Sequence, residues 1–159
     1  GHKHARLYAA DCHGAKIDVF DEQFDRVQLQ PGAFTDGALP AGFAPFNVQE
    51  LGGRIYVAYA KQDEEAEEEV AGAGLGYVDV FDRKGHLLKR LVSQGALNAP
   101  WGLAIAPAGF GGLDGALLVG NFGDGAINAY DLHTGAILAS YGVARPIRLR
   151  APLTQCSGE

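Results

Sequence analysis

The chain is poor in positive charge. Its 13 Lys and Arg stand against 19 Asp and Glu, a net charge of −6 at pH 7. That argues against a nucleic-acid backbone as partner, because phosphate binding draws on clustered cations. The one basic cluster, Arg145, Arg148 and Arg150, is short and late. Methionine is absent and cysteine is scarce. Cys12 and Cys156 lie at opposite ends, too far apart for a metal-ligand pattern. Two free thiols are expected, with a bridge between the termini as the alternative. No apolar run reaches the roughly 20 residues that a membrane-spanning helix needs, so no membrane partner is expected. No signal peptide stands before the first strand pattern; an export signal removed upstream is compatible with that abrupt start. The chain lacks a Gly-X-Ser-X-Gly elbow, and Ser93, Ser140 and Ser157 have no triad partners in reach of the pattern. The glycine run over 72–76 opens no helical pattern, so it is not a nucleotide fingerprint.

Glycine, by contrast, is abundant at 23 residues, which implies many tight turns. Three segments end on an aspartate: Ile17-Asp18-Val19-Phe20-Asp21, Val78-Asp79-Val80-Phe81-Asp82 and Ile127-Asn128-Ala129-Tyr130-Asp131. Their alternation has the period of a strand. A turn and another strand follow each: Arg26 to Leu29, Leu87 to Val92, and Ala136 to Tyr141. A strand also precedes each: Arg6 to Ala10, Arg54 to Ala60, and Ala116 to Asn121. Ahead of the last two lies an Ala-Pro-aromatic segment, Ala44-Pro45-Phe46 and Ala99-Pro100-Trp101. The unit is thus four strands, A to D. The closing aspartates are 61 and 49 residues apart, and 13 extra residues between strands B and C of the second unit account for the difference.

Four short strands repeating every 40–50 residues or so predict an all-β propeller. The whole chain, 1–159, reads as one half-propeller domain. The first blade holds strands B to D over 6–29. The second covers 46–92 with an acidic insert over 62–74, and the third covers 101–141. The tail, 142–159, repeats the Ala-Pro lead at Ala151-Pro152 and is expected to supply the closing strand. Three blades cannot close a ring by themselves, since propellers use about 4–8. A homodimer, or another closed homo-oligomer, is therefore expected to complete six blades.

Several motifs support a resemblance. "LYAADCHGAKIDVFD" from Leu7, "APFNVQ" from Ala44, "YVAYAKQD" from Tyr56, "VAGAGLGYVDVFD" from Val70, "NAPWGLAIAPAGFG" from Asn98 and "LLVGNFGDGAINAYD" from Leu117 occur in order. Together they resemble a bacterial family of uncharacterised six-bladed propellers, akin to NHL-repeat and gluconolactonase-like proteins. The resemblance implies the propeller fold and an exported protein. It also implies a chain about twice this length, and "GVARPIRLRAPLTQCSGE" fits it poorly.

In such a fold the ends of strands B and the A strands gather at the channel mouth. Asp11, Tyr59 and Asn121 occupy equivalent places, followed two residues on by His13, Lys61 and Gly123. Strand A adds Asn47, Gln49 and Trp101, with Asn98 and Asp124 nearby. Asp11, His13, Tyr59 and Lys61 are the candidate catalytic residues, His13 with Lys61 and Tyr59 as acid, base and nucleophile helper. Asn47, Gln49, Trp101, Asn121 and Asp124 are candidate ligand-binding residues. Asp11, Asn47 and Asn121 could hold a hard cation such as Ca²⁺; the resemblance to gluconolactonase-like proteins implies such a metal and a hydrolase. A carboxylate pair, Asp11 with Asp63 or Asp124, would instead suit glycosides, with Trp101 stacking on a sugar. The expected function is hydrolysis of an ester, lactone, phosphoester or glycoside, and the alternative is a non-catalytic binding module. Asp21, Asp82 and Asp131 are expected to close turns. The acidic run from Asp63 to Glu69 is expected to be a solvated loop. Gly1-His2-Lys3-His4 could take Cu²⁺ or Ni²⁺.

Overall fold

The computed structural model describes residues 5–142. They form three antiparallel sheets and no helix. The first sheet is a hairpin of β1 (Leu7–Asp11) and β2 (Lys16–Phe20). The second runs β3 (Phe43–Leu51), β4 (Arg54–Gln62), β6 (Gly76–Phe81), β7 (Leu87–Ser93). A two-residue strand, β5 (Glu69–Val70), pairs with the end of β4. The third sheet runs β8 (Pro100–Ile105), β9 (Leu117–Asn121), β10 (Ile127–Tyr130), β11 (Ile137–Tyr141).

Register makes the repeat concrete. Tyr8 lies opposite Val19, Tyr56 opposite Val80, and Leu118 opposite Ala129. One step along, Ala9 lies opposite Asp18, Val57 opposite Asp79, and Val119 opposite Asn128. A one-residue slip would send each of these sets to the other face, so the shared register means shared faces. β1 packs against β3, and β3 against β8. One core lies between the first two sheets, where Ile17 and Val19 meet Ile55, Val57, Tyr59 and Phe81. A second lies between the next two, where Tyr56, Val78 and Val80 meet Leu117, Val119 and Tyr130. The inner strands of the middle sheet, β4 and β6, are therefore buried on both faces.

The turns follow from local chemistry. β3 and β4 are joined at Gly52 and Gly53, both left-handed (φ 58° and 82°), as a two-residue hairpin turn of the primed type requires. Asp21, Asp82 and Asp131 do close turns. Each accepts from two backbone N–H groups just beyond it: Gln23 and Asp25, Lys84 and His86, His133 and Thr134.

Three expectations are corrected here. The strand expected from Arg26 to Leu29 shrinks to a single bridge, Phe20 to Arg26, with Val27 N–H donating to Val19. Beyond it the chain turns at Gly32 (φ 79°) and drives Phe34 into the first core. Burying an aromatic ring outweighs two more ladder hydrogen bonds. The acidic insert is also more than a loop, since its far end adds β5 to the second sheet. No cysteine among the described residues is free, so the free-thiol expectation fails for Cys12, which is buried beside Ala44. Cys156, the expected closing strand after residue 142 and the Gly1–His4 site lie outside the described residues.

Candidate functional site

Asp11 closes β1 and accepts from Gly14 N–H at 2.7 Å and from the Lys16 ammonium. The Lys16 hydrogen bond holds its carboxyl below the ordinary carboxylate value, against a smaller opposing effect of burial. His13, on the turn that follows, is exposed, with Nδ1 3.3 Å from the Ala66 carbonyl. That contact fastens the first hairpin to the acidic insert. Lys61 lies over the Phe43 ring at 5.5 Å and donates to the Ala41 carbonyl.

Tyr59 is elsewhere. It is 2% exposed within the first core, and its hydroxyl has no hydrogen-bond partner there. Burial, with Asp79 next in weight, pushes its hydroxyl pKa far up. Equivalent sequence places therefore did not give equivalent exposure: Asp11 sits at a half-open strand end, Tyr59 in packed interior.

Asn47 donates to the Trp101 carbonyl at 2.6 Å and accepts from Val48 N–H. Gln49 is exposed, opposite Tyr56. Trp101 is 44% exposed and Phe122 42%. Phe122 meets the Phe46 ring edge-to-face at 6.0 Å, so an aromatic patch forms where β3, β8 and β9 come together.

Asn121 is buried in a polar knot. Its Nδ2 donates to the Ala96 carbonyl and, at 3.4 Å, to Asp124. Its Oδ1 accepts from Asn98 N–H. Asn98 in turn donates to Asp124 and accepts from Gly72 N–H. A side chain so fully engaged satisfies the demand that buried polar groups be paired. The knot ties the β7–β8 linker and the insert to the end of β9.

The structure thus joins Asn121 to Asp124, and Asn47 to Trp101. Among the candidate metal ligands, each side chain is committed inside the protein: Asp11 to Gly14 and Lys16, Asn47 to Val48 and Trp101, Asn121 to Ala96 and Asn98. Among the described residues, no group of three or more His, Cys, Asp or Glu could hold a metal ion.

A second cluster escaped the sequence reading. Asp79, in the middle of β6, is fully buried. Arg90 on β7 holds its Nε 3.4 Å from Asp79 and bonds through Nη2 to Asp36 in the linker before β3. Arg90 also lies 5.0 Å over the Tyr77 ring. Burial first, and Asp36 second, push the Asp79 carboxyl up to about 7, against the pull of Arg90. The clue was in the repeat. Asp18, Asp79 and Asn128 share one register position. Asn128 likewise reaches back to a linker, donating to Ala96. In the second and third units this mid-strand polar residue ties down the linker that precedes the sheet, whereas Asp18 in the first pairs with Lys16 and Arg26.

Known proteins add little chemistry. No family model matches the chain, and no solved structure does. Three uncharacterized proteins of Acanthamoeba polyphaga mimivirus are similar to it. One is 39% identical over 143 residues, covering 86% of this chain and 38% of that protein. Another is 40% identical over 130 residues, covering 79% and 32%. The third is 34% identical over 133 residues, covering 80% and 25%. The chain spans only about a quarter to two-fifths of these relatives. The resemblance to bacterial NHL-repeat and gluconolactonase-like proteins is corrected accordingly: these relatives are viral and uncharacterized, and no such family model matches. The export and lactonase chemistry it implied are not carried over.

Proposed function

We propose that the three sheets are successive blades of a propeller arc, and that the chain is a non-catalytic binding and interaction module completed by a second copy of itself. One observation carries the reading. The polar groups at the strand ends are spent on partners within the fold, Asp11 on Gly14 and Lys16 and Asn98, Asn121 and Asp124 on one another, so among the described residues no free convergent set remains for chemistry. The shared register of the β1–β2, β4–β6 and β9–β10 pairs supports the blade assignment. The exposed rings of Trp101 and Phe122, beside Asn47, offer a face for a small-molecule ligand.

A hydrolase at the same strand ends is the second reading. It is favoured by Asp11, kept ionised by Lys16, standing two residues from the exposed imidazole of His13. Metal analysis and a panel of chromogenic esters, lactones, phosphotriesters and glycosides separate the two. The binding module gives a flat response and no retained ion. Turnover lost in both Asp11→Ala and Asn121→Ala would install the hydrolase instead.

A further inference from the structure

The chain builds one kind of interface twice. The back set of the first sheet, Tyr8, Ala10, Ile17 and Val19, packs on the front of the second. The register-equivalent back set of the second sheet, Tyr56, Ala58, Val78 and Val80, is buried in turn, and Tyr56, Val78 and Val80 pack on the front of the third. Continuing the register, the back set of the third sheet is Leu118, Gly120, Ile127 and Ala129. This set meets no fourth sheet among the described residues. Ala129 is covered by Leu113 and its neighbours, but Ile127 is 46% exposed and Tyr141 57%. Together with Phe110, Leu113 and Leu118 they wall an apolar cleft of 430 Å³.

The opposite end of the stack shows the complementary half. In the second sheet the front residues Ile55, Val57, Asp79 and Phe81 are buried, and so are Leu117, Val119, Asn128 and Tyr130 in the third. Their counterparts in the first sheet are Leu7, Ala9, Asp18 and Phe20. Leu7 is 50% exposed and the other three are half-buried.

Resting on the reading of the sheets as blades, we infer that the back of the third sheet is a docking surface for the front of the first sheet of a second copy, joined head to tail. The occupant follows from the interfaces already formed: the face that covers such a back is, both times, a front of this same register. Two copies make both contacts at once and close with a twofold axis. Three sheets from each then give a ring of six, within the range of about 4–8 that propellers adopt.

The test uses the 159-residue chain and two surface variants, Ile127→Arg and Leu7→Arg, with circular dichroism to verify that both fold. Sedimentation equilibrium of the wild type should give twice 16.7 kDa. Each variant alone should weaken dimerisation about a hundredfold, because each buries an unpaired charge in both contacts. Mixing the two variants should restore a dimer, since one of its two contacts is then wild-type on both sides. A wild-type monomer overturns the inference and self-association with it. A dimer that Leu7→Arg leaves intact overturns the head-to-tail contact alone, since a back-to-back dimer would behave so. Activity in the substrate panel bears on the binding-module reading and on neither of these.

Discussion

Asp79 shows how much one residue can decide. Its two carboxylate oxygens are buried without a well-formed hydrogen bond, and Arg90 must serve both Asp79 and Asp36. A carboxyl that ordinarily titrates at 3.8 is pushed up to about 7. The folded chain therefore binds that proton more tightly than the unfolded chain does. The stability linked to it is fully present below 3.8 and is lost as pH rises through about 7. Asp79→Asn removes the ionisation, so its melting temperature should exceed that of the wild type at pH 8, by on the order of 2 kcal/mol in stability. At pH 5 the gap should narrow, and thermal scans showing the same gap at both pH values would refute the assignment. Arg90→Leu goes the other way. It leaves two carboxyls facing each other in the interior and should cost on the order of 3 kcal/mol at pH 7, measurable by urea unfolding. Tyr59→Phe removes a hydroxyl that has no partner, and its stability should change by less than about 1 kcal/mol.

At the scale of elements, the turns between the last two strands of each sheet matter most. Gly85 and Gly135 hold left-handed φ values of 88° and 71°. Each also presses on the neighbouring repeat. A Cβ on Gly85 would lie 2.8 Å from the Phe34 backbone, and one on Gly135 only 1.9 Å from the Leu91 carbonyl. Gly135→Ala therefore meets both an unfavourable φ and a backbone clash. A loss of about 2–4 kcal/mol is expected by chemical denaturation, against about 1 kcal/mol for Asp131→Ala, which removes only the turn acceptor. An equal loss in the two variants would mean that the turn of the third sheet does not bear on β7. The hairpins were legible because alternation and closing aspartates are local signals. The strand expected from Arg26 to Leu29 was not, because the pull on that segment comes from Phe34 and from a core lined by β4 and β6.

At the scale of the molecule, the stack ends in two unlike faces, and the proposed ring joins them. If it does, folding and association are linked, and the apparent melting temperature should climb as protein is raised from about 1 to about 100 µM. A flat melting temperature together with a monomer mass would leave the arc open. Net charge of −6 sets the kind of partner that the outer surface tolerates, and it disfavours polyanions.

Most of the strands and the turn aspartates were written in the sequence, because each depends on residues a few positions apart. Which polar side chains would meet water was not. Asp18 and Asp79 sit in the same local pattern, yet one stays half-open and the other is sealed under a linker carrying Asp36. Asp11 and Tyr59 were equal candidates until packing put one at a strand end and the other in the core. Burial is set by whatever sheet comes to rest against a face, and that neighbour lies tens of residues away along the chain.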